Sequence, residues 1–173
     1  MDYFQLSDNA KRLVDRLRTE PILATHKAYL LATVKHETAN TFLPINEMGS
    51  DSYLSKYWSN SRLRKLLGNI FESDAQRFKG RGFVQITGRG NYIKASKVVG
   101  VDLVSNPEKA NDWEIAYTIL TVFTRTGMFT GVKLNDFLNA KETDFYNARK
   151  VINGLDKAAQ IEVYAKEYLP LFV

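Results

Sequence analysis

Cysteine is absent from all 173 residues. That absence excludes a disulfide framework, a thiolate nucleophile and a cysteine-based zinc site together. Histidine is nearly as scarce, with only His26 and His36, too few for an imidazole-built metal centre, so neither a metal nor any other cofactor is expected. No stretch reaches membrane-spanning length. The start, Met1-Asp2-Tyr3-Phe4-Gln5-Leu6-Ser7-Asp8, lacks the basic opening and apolar run of a secretory signal. A soluble cytosolic product is therefore expected, one that needs something else to let it through if its substrate lies outside.

Acidic residues are also missing between Asp74 and Asp102, where Arg77, Lys79, Arg81, Arg89, Lys94 and Lys97 are all basic. The formal net charge is +5, from 24 Lys and Arg against 19 Asp and Glu. One reading is a solvated positive face; the other is attraction to a polyanion, whether nucleic acid or an anionic cell wall. Only this stretch favours nucleic acid, and no nucleic-acid partner is expected. With 45% hydrophobic residues, the chain reads as one globular domain over 1–173, a monomer with a single core. Residues 1–20 form an accessory helix in that reading.

The pattern predicts mostly helix. Ser7 is an N-cap for a helix over 8–18, with Leu13, Val14 and Leu17 on one face and Pro21 beyond its end. Thr25 precedes a second helix, where Leu30, Val34 and Glu37 fall at spacings of four and three. Residues 38–60 read as a long polar and aromatic loop. A short helix over 61–67 ends at Gly68, a short strand is predicted over 83–87, and a helix opens at Asn91 or Tyr92 towards Val99. Residues 113–123 are apolar nearly all round, which predicts a central buried helix with its stop at Gly127. Two more helices are expected over 144–152 and 157–168, divided by Asn153-Gly154 and closed by Pro170.

Several catalytic patterns fail on inspection. His36-Glu37 with Asn40 lacks the second histidine of a zinc protease, so His36 reads as a hydrogen-bonding neighbour or as a structural cap of the helix end. Gly80-x-Gly82 and Gly88-x-Gly90 complete neither a dinucleotide fingerprint nor a phosphate loop, and no nucleophile elbow occurs. What remains is a pair of carboxyls, Glu37 and Glu47. Glycoside hydrolysis needs one protonated carboxyl and one ionised carboxyl. Glu37, continuing an apolar stripe, should lose hydration, which favours the protonated acid. Glu47, on a polar loop, suits the base, although an ordinary exposed glutamate is the competing reading, and Asp51 and Glu72 compete for the role. Gln85 and Thr87 alternate along the predicted strand and so share a face, placed to hold water or a sugar amide, or simply to cover the surface.

These residues carry a resemblance. His36-Glu37-Thr38, Gly80-Arg81-Gly82-Phe83-Val84-Gln85-Ile86-Thr87 and Asn91-Tyr92 are similar to motifs of glycoside hydrolase family 19, the chitinases and the closely similar endolysins of bacteriophages. The likeness continues through Gly100-Val101-Asp102-Leu103, Asn106-Pro107, Trp113 onwards and Ala148-Arg149-Lys150-Val151-Ile152-Asn153-Gly154. It covers most of the chain from about His26. It implies a mainly helical, lysozyme-like, two-lobed domain with a small β element and a central cleft, working by inversion. It also implies Glu37 as general acid, Glu47 as general base, Thr87 as positioner of the water, and His36, Gln85, Asn91, Arg149 and Asn153 as substrate-binding. The missing cysteines and secretion signal favour the phage or bacterial branch. The expectation is an endolysin cutting the β-1,4 link between N-acetylmuramic acid and N-acetylglucosamine in peptidoglycan, held in the host cytoplasm until release. An anionic wall or outer-membrane surface is its expected partner, without stable membrane insertion. A chitinase, a lytic transglycosylase and a non-catalytic wall-binding module are the alternatives.

Overall fold

The Ser7 hydroxyl accepts a hydrogen bond from the Ala10 amide, capping α1 (Asp8–Arg18), whose Ala10, Leu13, Val14 and Leu17 are buried on one face. Each of the large aliphatic side chains so buried contributes roughly 1.5–3 kcal/mol. The computed structural model describes residues 2–173, and its chain divides into two compact units, one running through Phe42 and resuming at Thr121–Val173, the other Leu43–Leu120. The first unit packs α1 and α2 (Ala24–Glu37) with α9 (Ala158–Tyr168). Helix α2 is buried all round from Ala28 to Val34. Lys35 Nζ lies 4.1 Å from the centre of the Tyr164 ring on α9, a cation–π contact. The Arg18 guanidinium donates to the Leu171 carbonyl at 3.2 and 3.3 Å, which ties α1 to the C-terminal turn.

The second unit holds short helices around one small antiparallel sheet. Strand β1 (Ile45–Asn46) pairs with β2 (Arg81–Gly82), Ile45 facing Gly82 and Asn46 facing Arg81. Around it lie α3 (Asp51–Leu54), α4 (Lys56–Ser59), α5 (Ser61–Leu67), α6 (Asp74–Arg77) and α7 (Arg89–Val99). Helix α8 (Trp113–Thr126) begins in this unit. There Trp113 stacks on Tyr117 with ring centres 5.4 Å apart and meets Phe83 edge-on at 5.6 Å. Gly88, at φ +86°, precedes α7 where an added Cβ would sit 2.6 Å from the Leu67 carbonyl oxygen, so only glycine fits. Among the described residues no helix is long and apolar enough to cross a membrane.

The mainly helical class with a small sheet is what the sequence predicts, and five local readings need correction. Leu23, not Thr25, occupies the N-cap of α2, without a side-chain hydrogen bond. The predicted loop 38–60 contains β1, α3 and α4, because Ser50 caps α3 and Leu54 is buried beneath it. The predicted strand 83–87 is a tight reversal bridged from Arg81 to Ile86, with Gln85 at φ +54°, so period-two facing does not apply there. Helix α7 starts at Arg89, two or three residues before the predicted opening at Asn91 or Tyr92. The helix expected over 144–152 is a 3-10 turn at Asn147–Val151.

Candidate active site

In the first unit the site grows from the C-terminal end of α2. Thr38 ends that helix by bonding both its amide and its hydroxyl to the Val34 carbonyl, and its hydroxyl then accepts from the Phe42 amide. The chain beyond is tightly wound, with Ala39, Asn40 and Phe42 at φ +48°, +68° and +55°. Positive φ costs free energy for such residues, and such strain concentrates at functional sites. It fixes the last helical residue, Glu37.

Glu37 continues the buried Leu30–Val34 face of α2, but its carboxylate is not left among hydrocarbon. Thr33 and Tyr29, one and two turns before it, also lie on that side of α2, and its carboxylate is met by a cation. Arg149 Nη1 donates to Glu37 Oε1 at 2.7 Å, and the two side chains are 3% and 19% exposed. Arg149 Nε donates to the Asp156 carbonyl at 3.1 Å, which holds the guanidinium plane. Burying a cation is costly unless it is paired, so this arrangement spends stability to keep a positive charge against one partly open carboxyl. Burial pushes the nearby Tyr29 phenol up to about 12, while Thr33 and Arg149 oppose the rise. The periodicity places Glu37 on this face, but because α2 is buried all round from Ala28 to Val34, spacing alone does not tell which neighbour each residue meets.

His36, half-buried in the last turn of α2, is adjacent to Glu37. Asn153 is exposed; its amide donates to the Arg149 carbonyl, and its Oδ1 accepts from the Gly154 amide. These four residues, Glu37, His36, Arg149 and Asn153, belong to the first unit.

The second unit carries the others. Glu47 is half-buried rather than a free loop residue. Tyr57 OH donates to its Oε1 at 2.6 Å, and the Gly80 amide donates to its Oε2 at 2.9 Å. Its own amide donates to the Gly80 carbonyl at 2.7 Å, just past the Asn46 to Arg81 pairing. Burial first, then the hydrogen bond to Glu47 and its charge, raise the Tyr57 pKa well above that of an ordinary phenol, so this group stays a donor. Both Glu47 carboxylate oxygens therefore accept a hydrogen bond, one from a side chain and one from the backbone, which fixes the orientation of the group. Asp51 and Glu72, the competing carboxyls, are both exposed.

Gln85 spends its side-chain amide on the Ile45 and Gly82 carbonyls at 2.8 and 3.1 Å, stitching the reversal to β1. Thr87 Oγ1 donates to the Gln85 carbonyl at 3.0 Å, leaving its lone pairs to accept from a water. Asn91 Nδ2 donates to the Thr87 carbonyl at 2.9 Å, leaving Oδ1 as an acceptor. A chain of backbone-anchored polar groups therefore runs from β1 to the first turn of α7. Two members escaped the sequence reading. Tyr57 lies in the stretch read as loop, and the amide of Gly80 is invisible to any side-chain pattern.

No protein-family model matches the sequence, and no curated protein does. Solved structures do match. Chitinase C from Streptomyces griseus HUT6037 superposes with a TM-score of 0.65 at 19% identity, over 98% of this chain and 77% of that one. A glutamate-to-glutamine mutant of chitinase C gives 0.62 at 18% identity, over 98% and 63%. The chain has the mainly helical fold of these chitinases.

Proposed function

We propose that this protein is an inverting glycoside hydrolase that cuts the β-1,4 bond between N-acetylmuramic acid and N-acetylglucosamine in peptidoglycan, as a phage endolysin does. The observation that carries the reading is the Glu37–Arg149 pair, a guanidinium 3% exposed and held against a carboxyl at the strained end of a helix. In the proposed reaction protonated Glu37 gives its proton to the bridging oxygen, and Arg149 stabilises the carboxylate left behind. Ionised Glu47 takes a proton from a water held by Thr87, and that water attacks the anomeric carbon from the opposite face. His36, Gln85, Asn91 and Asn153 contact the sugars. The net charge of +5 favours an anionic wall over a neutral polymer. In this reading the protein accumulates in the host cytoplasm and acts as a monomer, without cofactor, once the membrane is opened.

The second reading, a chitinase acting on β-1,4-linked N-acetylglucosamine, is favoured by the fold shared with chitinase C. Both readings use the same acid and base. Purified protein assayed on peptidoglycan sacculi and on colloidal chitin separates them: solubilised muropeptides support the endolysin, and activity on chitin alone supports the chitinase. Glu37→Gln should abolish hydrolysis of whichever polymer is cut while leaving wall binding and Tm nearly unchanged. Surviving hydrolysis in that variant removes Glu37 as the acid.

A further inference from the structure

Helix α5 buries none of its seven residues, although three of them are leucines. It forms because its ends are satisfied. Asn60 Oδ1 accepts from the Arg62 and Leu63 amides at 3.1 Å each, and Gly68 closes the other end at φ +67°. Leu66 is 77% exposed, and just beyond the helix Ile70 and Phe71 are 61% and 58% exposed. Three large apolar side chains thus meet solvent within six residues, more than the scattered exposure of an ordinary surface.

Their outward display is braced. The fully buried Asp74 carboxylate accepts from the Ile70 and Phe71 amides at 2.9 and 3.1 Å and from Arg89 at 2.8 and 2.7 Å. Asn69 joins the frame by accepting from the Arg89 amide at 2.9 Å and donating to the Tyr57 carbonyl at 3.2 Å. The same surface is cationic. No acid occurs between Asp51 and Glu72, while Lys56, Arg62, Arg64 and Lys65 do. Arg64 lies over the Trp58 ring at 4.6 Å and Lys56 over Tyr53 at 3.3 Å, whereas Arg62 and Lys65 are exposed.

We propose that residues 56–71, with Leu66, Ile70 and Phe71 at the tip and Arg62 and Lys65 beside them, form a docking surface for an anionic phospholipid bilayer. Two features of the surface select this partner. The cations complement lipid phosphates, each basic side chain near such a surface adding on the order of fivefold in affinity. Leu66 and Ile70, two of the three tip side chains, are branched aliphatics that gain from the apolar interior of a headgroup layer and little from a hydrated polymer, and Phe71 beside them suits the same interfacial depth. The protein would lie on the bilayer and not span it. The exposed residues that make this surface are not those given a role in hydrolysis, and its test reads binding alone.

The test is co-sedimentation of the whole protein with large unilamellar vesicles, either phosphatidylglycerol with phosphatidylethanolamine or pure phosphatidylcholine. Wild type should pellet with the anionic vesicles and stay in solution with phosphatidylcholine. The combined variant Leu66→Ser, Ile70→Ser, Phe71→Ser and the pair Arg62→Gln, Lys65→Gln should each weaken binding by about tenfold or more. Circular dichroism melting confirms that both variants are folded. If the triple variant does not fold, the charge pair, whose residues bury nothing, carries the decision. Absence of wild-type binding to anionic vesicles, or binding unchanged in a folded variant, overturns the proposal. So does a patch-dependent affinity found for sacculi and not for vesicles.

Discussion

Glu47 owes its environment to two groups that no carboxylate-counting rule finds, the Tyr57 hydroxyl at 2.6 Å and the Gly80 amide at 2.9 Å. A hydrogen bond to a charged group is worth about 1.5–3 kcal/mol. Tyr57→Phe removes one donor without changing volume, so kcat should fall about tenfold or more while KM and Tm move little, as steady-state kinetics and a thermal melt would show. An unchanged kcat would detach Tyr57 from the base. At Gly80 an added Cβ would lie 2.8 Å from Gln85 Oε1 and 3.2 Å from Glu47 Oε2. Gly80→Ala should therefore displace both side chains and cost more activity than Tyr57→Phe in the same assay. At this scale the sequence shows which residue types are present but not their partners. The Glu37 to Val34 spacing is real, yet its contact with Arg149, 112 positions away, cannot be read from local periodicity.

Helices α1 and α5 follow the sequence because their ends carry side-chain signals, although α3, capped by Ser50 in the same way, is missed within the stretch read as loop. Ser7 before α1, Asn60 before α5 and Gly68 after it all sit where capping chemistry places them. Elements whose limits are set by distant contacts are not legible: β1 exists because Asn46 faces Arg81, and the reversal after β2 because Gln85 reaches back to the Ile45 carbonyl. The segment joining α5 to α7 depends most on one charge. Burial opposes ionisation of Asp74, but the hydrogen bonds from Arg89 and from the Ile70 and Phe71 amides outweigh it and hold its pKa below the usual carboxylate range. A depressed carboxylate contributes stability that is complete above its unfolded value, about 3.9, and is lost as pH falls through the folded value. Asp74→Asn should cost about 3 kcal/mol at neutral pH in urea unfolding, because it leaves Arg89 without its counter-charge. The difference between wild type and variant should narrow below pH 4. A constant difference across that range would show that the charge of Asp74 is not what stabilises the loop.

Over the whole molecule, the sequence motifs divide between the two units: Glu37, Arg149 and Asn153 in one, Glu47, Gln85, Thr87 and Asn91 in the other. Composition gives no hint of that division, since the first unit is assembled from both ends of the chain. Net charge is a property of this scale. With +5 spread over 173 residues, hydrolysis of anionic sacculi should fall as salt rises from low to about 0.3 M, while cleavage of a neutral N-acetylglucosamine oligomer should hardly change. Equal salt sensitivity on both would remove charge as the basis of substrate choice. The two-carboxyl account is tested most directly by proton NMR of the first product released from a β-1,4-linked substrate. Attack by a water activated by Glu47, opposite the bond protonated by Glu37, predicts that the α-anomer appears first and then mutarotates. A β-anomer, or an anhydro end with no water incorporated, would contradict it.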